Sequence, residues 1–285
     1  MNGFVTALKS ELFIALRTFA SKLILLAPAL VVILQNVLLW ITETGQAARD
    51  SLMGSPSFDE VVSSNAYGYF VDSMSTGLTM LGLLLVALAA YSFSFDRDTG
   101  LVRHLLIRRI SRPALVLAKL VHLHLLALLS FIVLLITAYI FSDLFWQFGP
   151  IVEDGFELIS EDEILFEIQT GLHLAIVPLP AAIAFGLLIS VCAQSATQAV
   201  TTALGVTLAI DIFKSMLGDY ANFLYARFQP SLIDASYLQD ASRIVRGYSD
   251  VLVDENLLQM NLWVPIPTLI IFVSVTLVVI QRKKI

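Results

Sequence analysis

The chain has 285 residues, of which 58% are hydrophobic and only 14% are charged, and its mean hydropathy is +0.84. These values exclude an ordinary soluble globular protein and indicate an integral membrane protein. A single cysteine, Cys192, excludes an intramolecular disulfide, and the formal charge of −6 says little because the charges are segregated along the chain.

The first 22 residues predict an amphipathic helix. Apolar side chains such as Leu8, Leu12 and Phe19 recur at helical spacing, whereas Lys9 and Arg17 lie mostly elsewhere on the wheel. Such a helix can lie in the headgroup plane, and residues 1–22 are therefore expected to form an interfacial (elbow) helix. The alternative is that these residues are the first turns of a long first span.

Six apolar runs follow, each of about the length that a bilayer core requires. The predicted spans are residues 23–41, 73–93, 114–141, 172–192, 197–217 and 262–280. They are separated on one side by the outer segments 43–72, 142–170 and 218–261. Pro178 and Pro180 should kink the fourth span or expose its backbone carbonyls. The expected fold class is all-α, with a single polytopic transmembrane domain over residues 1–285.

The basic residues predict the orientation of these spans. Of the 17 Lys and Arg residues, twelve lie on the side that holds both termini and the loop after the second span. Four, Arg49, Arg227, Arg243 and Arg246, lie on the opposite side, and Lys214 lies within a span. The positive-inside rule therefore predicts that both termini are cytoplasmic.

The stretch from Ser94 to Lys119 is the one long charged segment between two spans. A helix that faces lipid cannot carry that many charges, so an aqueous loop is predicted. Residues 101–110 lack Pro and Gly and predict a short helix, which Asp98 or Thr99 would cap. The charged residues of the whole stretch from Ser94 to Lys119, with its histidine, are Asp96, Arg97, Asp98, Arg103, His104, Arg108, Arg109, Arg112 and Lys119.

Two charged residues, Asp211 and Lys214, stand three positions apart in the fifth span and share one face. They are expected in the outer third of that span, where each can neutralise the other. They form either a polar spot on a translocation path or a structural ion pair at the outer rim of the bundle.

The outer segment 142–170 contains eight acidic residues and no Lys or Arg. It is either a docking face for a basic or metal-loaded periplasmic partner or a solvated amphipathic helix, which is the commoner meaning of such a charge run. Residues 219–229 predict either an interfacial or re-entrant helix or part of an ordinary outer domain.

No metal site is predicted, because His122 and His124 are two positions apart on a helix and point away from each other. The chain also lacks a GxxxxGK[ST] phosphate loop and a nucleophile elbow. It is therefore not expected to be an enzyme, and any ATP that it uses must be bound by another chain.

The order of these features resembles the ABC transporter type-2 permease family over most of the chain. The most specific part is the run from Phe95 to Gly100, followed by an apolar and basic helix, then Ser111-Arg112 and Lys119. In that family a proline commonly precedes the Ser-Arg pair by two positions, where this chain has Arg109.

The resemblance implies that the loop holds a coupling helix that sits in a groove of a separate ATPase subunit. The coupling residues would be Asp96, Arg97, Asp98, Gly100, Leu101, Arg103, His104, Leu105, Arg108, Arg109, Ser111 and Arg112. It further implies a dimer of permease chains, most simply a homodimer, in the inner membrane. Two ATPase copies would bind ATP and Mg, this chain would bind no cofactor, and no nucleic-acid partner is expected. Such a permease would export a substrate or transmit motion to the periplasm.

A secondary transporter or channel that works without ATP is the main alternative. It would require ionisable residues at mid-depth in the membrane, and Asp211 and Lys214 are the candidates. A membrane enzyme is a third reading, but its polar residues should converge at one depth, and these do not.

Overall fold

The computed structural model describes residues 2–53, 65–102, 110–153, 156–233, 236–248 and 255–283. Six helical stretches in these residues are long and apolar enough to cross a membrane. The predicted all-α, multi-pass architecture is therefore confirmed, and each predicted span lies within one of the six stretches.

The first two helices are α1 (Asn2–Arg17) and α2 (Phe19–Met53), followed by α3 (Ala66–Asp98) and α4 (Arg112–Phe145). A hairpin of β1 (Ile151–Glu153) and β2 (Phe156–Ile159) precedes α5 (Glu161–Ile176), α6 (Leu179–Cys192) and α7 (Ala196–Phe213). Two 3₁₀ helices follow, at Lys214–Phe223 and Tyr225–Arg227. The chain continues as α8 (Tyr237–Ile244), α9 (Glu255–Trp263) and α10 (Pro265–Arg282).

Helix α1 runs beside α4 rather than across it. Glu11 in α1 forms an ion pair with Lys119, and the Ile24 carbonyl in α2 accepts a hydrogen bond from Ser130. These contacts lie about 20 Å apart along α1–α2 and about 16 Å apart along α4, at 1.5 Å per residue. Residues 11–24 therefore follow α4 with one interruption, at Thr18. The interfacial placement of residues 1–22 stays a prediction.

The fourth span is interrupted where the sequence predicts a kink. Helix α5 ends at Ile176 and α6 begins at Leu179, with Pro180 in its first turn. Proline has no backbone N–H and is best tolerated in the first turn of a helix. Helix α5 accordingly ends before Pro178, and Pro180 lies in the first turn of α6.

The outer segment 142–170 differs from the helix that its sequence favours. Val152 pairs with Glu157 in an antiparallel hairpin, and α5 begins only at Glu161. Ser160 ends the hairpin and starts the helix, because its hydroxyl accepts from the Glu163 amide while the Glu163 carboxylate accepts from the Ser160 amide. This capping box satisfies two helix N-terminal donors.

Helices α3 and α6 form the centre of the bundle. A β-carbon built on Gly186 in α6 would lie 2.7 Å from the Val86 carbonyl oxygen and 2.8 Å from the Ala89 β-carbon. Only glycine permits this approach, so the α3 backbone lies directly against α6. Helices α7 and α10 pack at the periphery, since only 17% of the most apolar window in each of their spans is buried.

Both ends of the described chain meet at one end of the bundle. Ala7, Val102, Ile110 and Ile280 belong to one buried apolar cluster together with Phe93. We call this end the termini end. It holds α1, the C-terminal end of α3, the N-terminal end of α4 and the C-terminal end of α10.

Candidate functional site

The charged loop is seated on the bundle at both of its described flanks. Val102 and Ile110 are buried, with 1% and 4% of their surfaces exposed, against the apolar cluster that includes Leu115. The sequence-predicted residues Arg103, His104, Leu105, Arg108 and Arg109 lie outside the described residues. The segment that joins the two flanks therefore begins and ends at fixed points on the termini end.

The C-terminal turn of α3 bridges two other helices. Nη1 of Arg97 donates a 2.7 Å hydrogen bond to the Ala193 carbonyl, and Oδ2 of Asp98 accepts a 2.7 Å bond from the Ala196 amide. Ala193 follows the last turn of α6 and Ala196 begins α7. A cation thus meets the negative end of one helix, and an anion meets the positive end of the next.

Asp98 and Thr99 lie at the C-terminal end of α3, whereas the sequence suggested that one of them starts the helix that follows. Thr99 is the C-cap of α3, and its hydroxyl donates to the Phe95 carbonyl. Gly100 comes next with φ +77°, a left-handed conformation that commonly ends helices. Ser111 caps the start of α4 through the Ala114 amide. The loop therefore begins after Gly100, which follows the end of α3, and ends at Ser111, which caps the start of α4.

A buried triad joins α1, α3 and α4. Nζ of Lys119 lies 2.9 Å from Oε1 of Glu11 and 2.5 Å from Oδ2 of Asp96. The exposed fractions of the Lys119, Glu11 and Asp96 side chains are only 4%, 9% and 12%. The prediction of an aqueous loop is wrong for Asp96 and Lys119, because both lie in helices and Lys119 pairs with Asp96 and Glu11 inside the bundle.

The C-terminal tail closes the same end. Nζ of Lys283 donates to the carbonyls of Val191, Cys192 and Ala193 at 2.6, 3.1 and 3.0 Å. Its own carbonyl accepts a 2.7 Å bond from Nη1 of Arg112. Burial, reinforced by the nearby Arg97 guanidinium, lowers the pKa of Lys283. Sequence reasoning missed this role, although a basic tail and an α6 end without a glycine were visible signals.

Asp211 and Lys214 form an ion pair, and Ser231 is a third partner of the pair. Nζ of Lys214 lies 2.8 Å from Oδ1 of Asp211 and donates a 2.6 Å bond to the Ser231 hydroxyl. Oδ2 of Asp211 accepts from the Leu232 amide at 3.0 Å. A cavity of about 20 Å³ beside the pair, enough for about one water molecule, is also lined by Thr79.

The chain after this pair returns to the middle of the bundle. A β-carbon on Gly82 would lie 2.0 Å from the Gln229 side chain, and Gly82 stands sixteen residues from each end of α3. Tyr225 is buried and contacts Phe272 of α10 edge-on, with ring centroids 6.0 Å apart. Residues 225–229 thus pack against α3 and α10, and the alternatives for residues 219–229 stay predictions. Thr79 and Leu83 line the same cavity as Asp211, so the pair lies beside the middle of α3.

Several acidic residues of segment 142–170 are engaged within the chain. The Tyr67 hydroxyl donates a 2.5 Å bond to Glu161, and the Tyr237 hydroxyl donates to Glu167. Across the same end, Arg246 forms an ion pair with Asp72. These bonds fasten α5 to α3 and α8, so part of the acidic character serves the fold itself.

Within the described ranges, no group of three His, Cys, Asp or Glu residues has the arrangement of a metal site. The chain matches no family model, no curated protein and no solved structure.

Proposed function

We propose that this chain is the membrane-spanning permease subunit of an ATP-driven ABC transporter. The observation that carries the proposal is the double anchoring of the charged loop. Asp96, Arg97 and Asp98 bind it to α4, α6 and α7 on one flank, and Arg112 binds it to the C-terminal tail on the other.

A motor outside the membrane needs a stiff connection to the spans that it moves. A push on residues 103–109 would be transmitted into α3 and α4 directly. It would reach α6 and α7 through Arg97 and Asp98, and α1 through Lys119 and Glu11. The loop is therefore coupled to five helices by short polar contacts rather than by one flexible linker.

The remaining parts of the proposal follow from the same assignment. The termini end faces the cytoplasm of a cell bounded by an inner membrane, where two ATPase chains hold ATP and Mg. Two permease copies form the path, and the broad apolar faces of α7 and α10 are available to lipid or to the second copy. Cargo leaves the cytoplasm, or motion reaches a periplasmic partner at segment 142–170.

The test is a triple charge reversal, Arg103→Glu with Arg108→Glu and Arg109→Glu, in the full chain. We expect the variant to insert with unchanged topology but to lose its co-purifying ATPase. A matched control reverses Lys9, Arg17 and Arg282, which are exposed at the same end. Full ATPase association in the loop variant, or equal loss in the control, would contradict the proposal.

The position of the Asp211–Lys214 pair supports one alternative, a secondary transporter or channel. A buried ion pair beside the middle of α3 is where such a protein would bind a coupling ion. Proteoliposomes that contain this chain alone discriminate the two functions. Flux that persists without ATP or an ATPase and disappears in Asp211→Asn would favour the alternative.

A further inference from the structure

We infer that the notch between α1, α2 and α4 binds an anionic phospholipid of the leaflet at the termini end. This inference rests on the membrane location of the chain and is independent of the ABC assignment. It concerns a groove that is lined by none of residues 94–119 and by neither member of the Asp211–Lys214 pair.

The notch is an open groove of about 510 Å³ where α1 ends and α2 begins. Its walls are mainly apolar, with Leu25 from α2 and Leu125 and Leu129 from α4. Ser21, Lys22 and His122 also line the groove. Apolar walls with a few polar groups are the composition that suits an acyl chain with its polar head.

The contacts along α4 indicate the direction in which the groove runs. Ile24 lies level with Ser130, and Glu11 lies level with Lys119, so positions 21 and 22 stand between these two levels. Leu12, Ala15 and Leu16 line the part of the groove nearer the termini end, and Ser21, Lys22 and Leu25 line the part near Leu129. A phosphate would lie beside Lys22, and an acyl chain would lie against the leucines of the groove.

The charged residues around the groove favour a lipid with an anionic headgroup. Lys9, Arg17 and Lys22 are exposed, whereas the one acidic residue of this region, Glu11, is buried in its ion pair with Lys119. No carboxylate of the described residues forms an ion pair with Lys22. The exposed charges of α1 and the start of α2 are thus all basic, and Lys22 is the one of them that lines the groove. Basic groups in such a position attract anionic lipids.

Apolar side chains on the same surface support a lipid rather than a soluble ligand. Leu16 and Phe19 are 78% and 77% exposed on either side of the break at Thr18. Large exposed apolar groups beside basic residues are typical of a helix in contact with the headgroup and acyl boundary. The groove therefore opens into lipid rather than into water.

Native mass spectrometry of the full chain tests this inference. The protein is purified in detergent and then incubated with phosphatidylglycerol or phosphatidylcholine of identical acyl chains. We expect wild type to retain phosphatidylglycerol about fivefold better, the ratio for about 1 kcal/mol from one lysine at a membrane surface. Lys22→Ala should remove this preference, and Lys9→Ala, a change of the same kind on the same surface, should keep it.

A second variant tests the groove itself. Ala15 lines the notch, so Ala15→Phe should fill it and reduce retention of both lipids, while Val5→Phe on the same helix should not. Unchanged thermal unfolding shows that each variant is folded. Equal retention of the two lipids by wild type, equal loss in Lys9→Ala, or full retention by a folded Ala15→Phe variant would overturn the inference.

Discussion

The ammonium group of Lys119 lies 2.5 Å from Oδ2 of Asp96, and both side chains are enclosed by α1, α3 and α4. The same ammonium group also reaches Glu11, so one buried cation balances two carboxylates. This arrangement holds the end of α3 against the start of α4, on either side of the charged loop.

Removal of the cation should be strongly destabilising. In Lys119→Met, two carboxylates remain buried without a positive partner, and breaking a buried pair in this way typically costs about 3–5 kcal/mol. We expect a large fall in the free energy of unfolding, measured by denaturant titration in detergent. The triple variant with Glu11→Gln and Asp96→Asn should recover most of the loss. If the triple variant is no more stable than Lys119→Met alone, the account of the triad is wrong.

Gly186 should not tolerate a methyl group. Gly186→Ala places a carbon 2.7 Å from the Val86 carbonyl oxygen, and overpacking of this kind costs about 1–3 kcal/mol. Gly205→Ala is the matched control, because a β-carbon there meets no atom within 4 Å. It should be neutral or stabilising by up to about 1 kcal/mol, the helix propensity of alanine over glycine. Thermal unfolding of the two variants in one detergent compares them, and equal behaviour would contradict the close packing of α3 on α6.

Asp211 should protect the backbone amides of residues 229–233 from hydrogen exchange. Its Oδ2 accepts from the Leu232 and Ile233 amides at 3.0 and 3.4 Å, so Asp211→Asn weakens both bonds and the pair with Lys214. Hydrogen exchange followed by mass spectrometry should show faster exchange in peptides that cover residues 229–233. Asp219→Asn, a change of the same kind at an exposed residue of the preceding 3₁₀ helix, should leave the exchange of these peptides unchanged. Identical exchange in both variants would show that the pair does not fasten this segment.

Lys283 should limit the motion of the α6–α7 turn. A spin label on Cys192, the single cysteine of the chain, reports on the turn whose carbonyls Lys283 binds. In Lys283→Met the label should become more mobile, because the C-terminal carbonyls of α6 lose their cation. Arg282→Met changes the neighbouring exposed residue and should have no effect. A mobility change of the same size in both variants would rule out a specific cap.

The six spans were predictable because twenty consecutive apolar residues leave few other folds. The kink at Pro178 was predictable for a similarly local reason, since proline cannot donate a helical hydrogen bond. The hairpin before α5 was not, because its few residues carry the same mixture of acidic and apolar side chains as an amphipathic helix.

The polar contacts of the termini end could not be predicted from the sequence, for a different reason. Lys119 pairs with a residue 108 positions earlier, and the Ala196 amide finds Asp98 from 98 positions away. The local sequence pattern shows only that a charged residue is present. The residue with which it pairs is determined by how the helices pack. For that reason Asp96 and Lys119 were assigned to water, and the caps formed by Asp98 and Lys283 were not anticipated.

The measurement that tests the central claim most directly is purification of the chain from its native membrane in a gentle detergent, with mass spectrometry of the stoichiometric partners. The account predicts an equimolar partner that carries a GxxxxGK[ST] phosphate loop and hydrolyses ATP. A chain that purifies intact without any such partner, under conditions that preserve a known ABC complex, would contradict it.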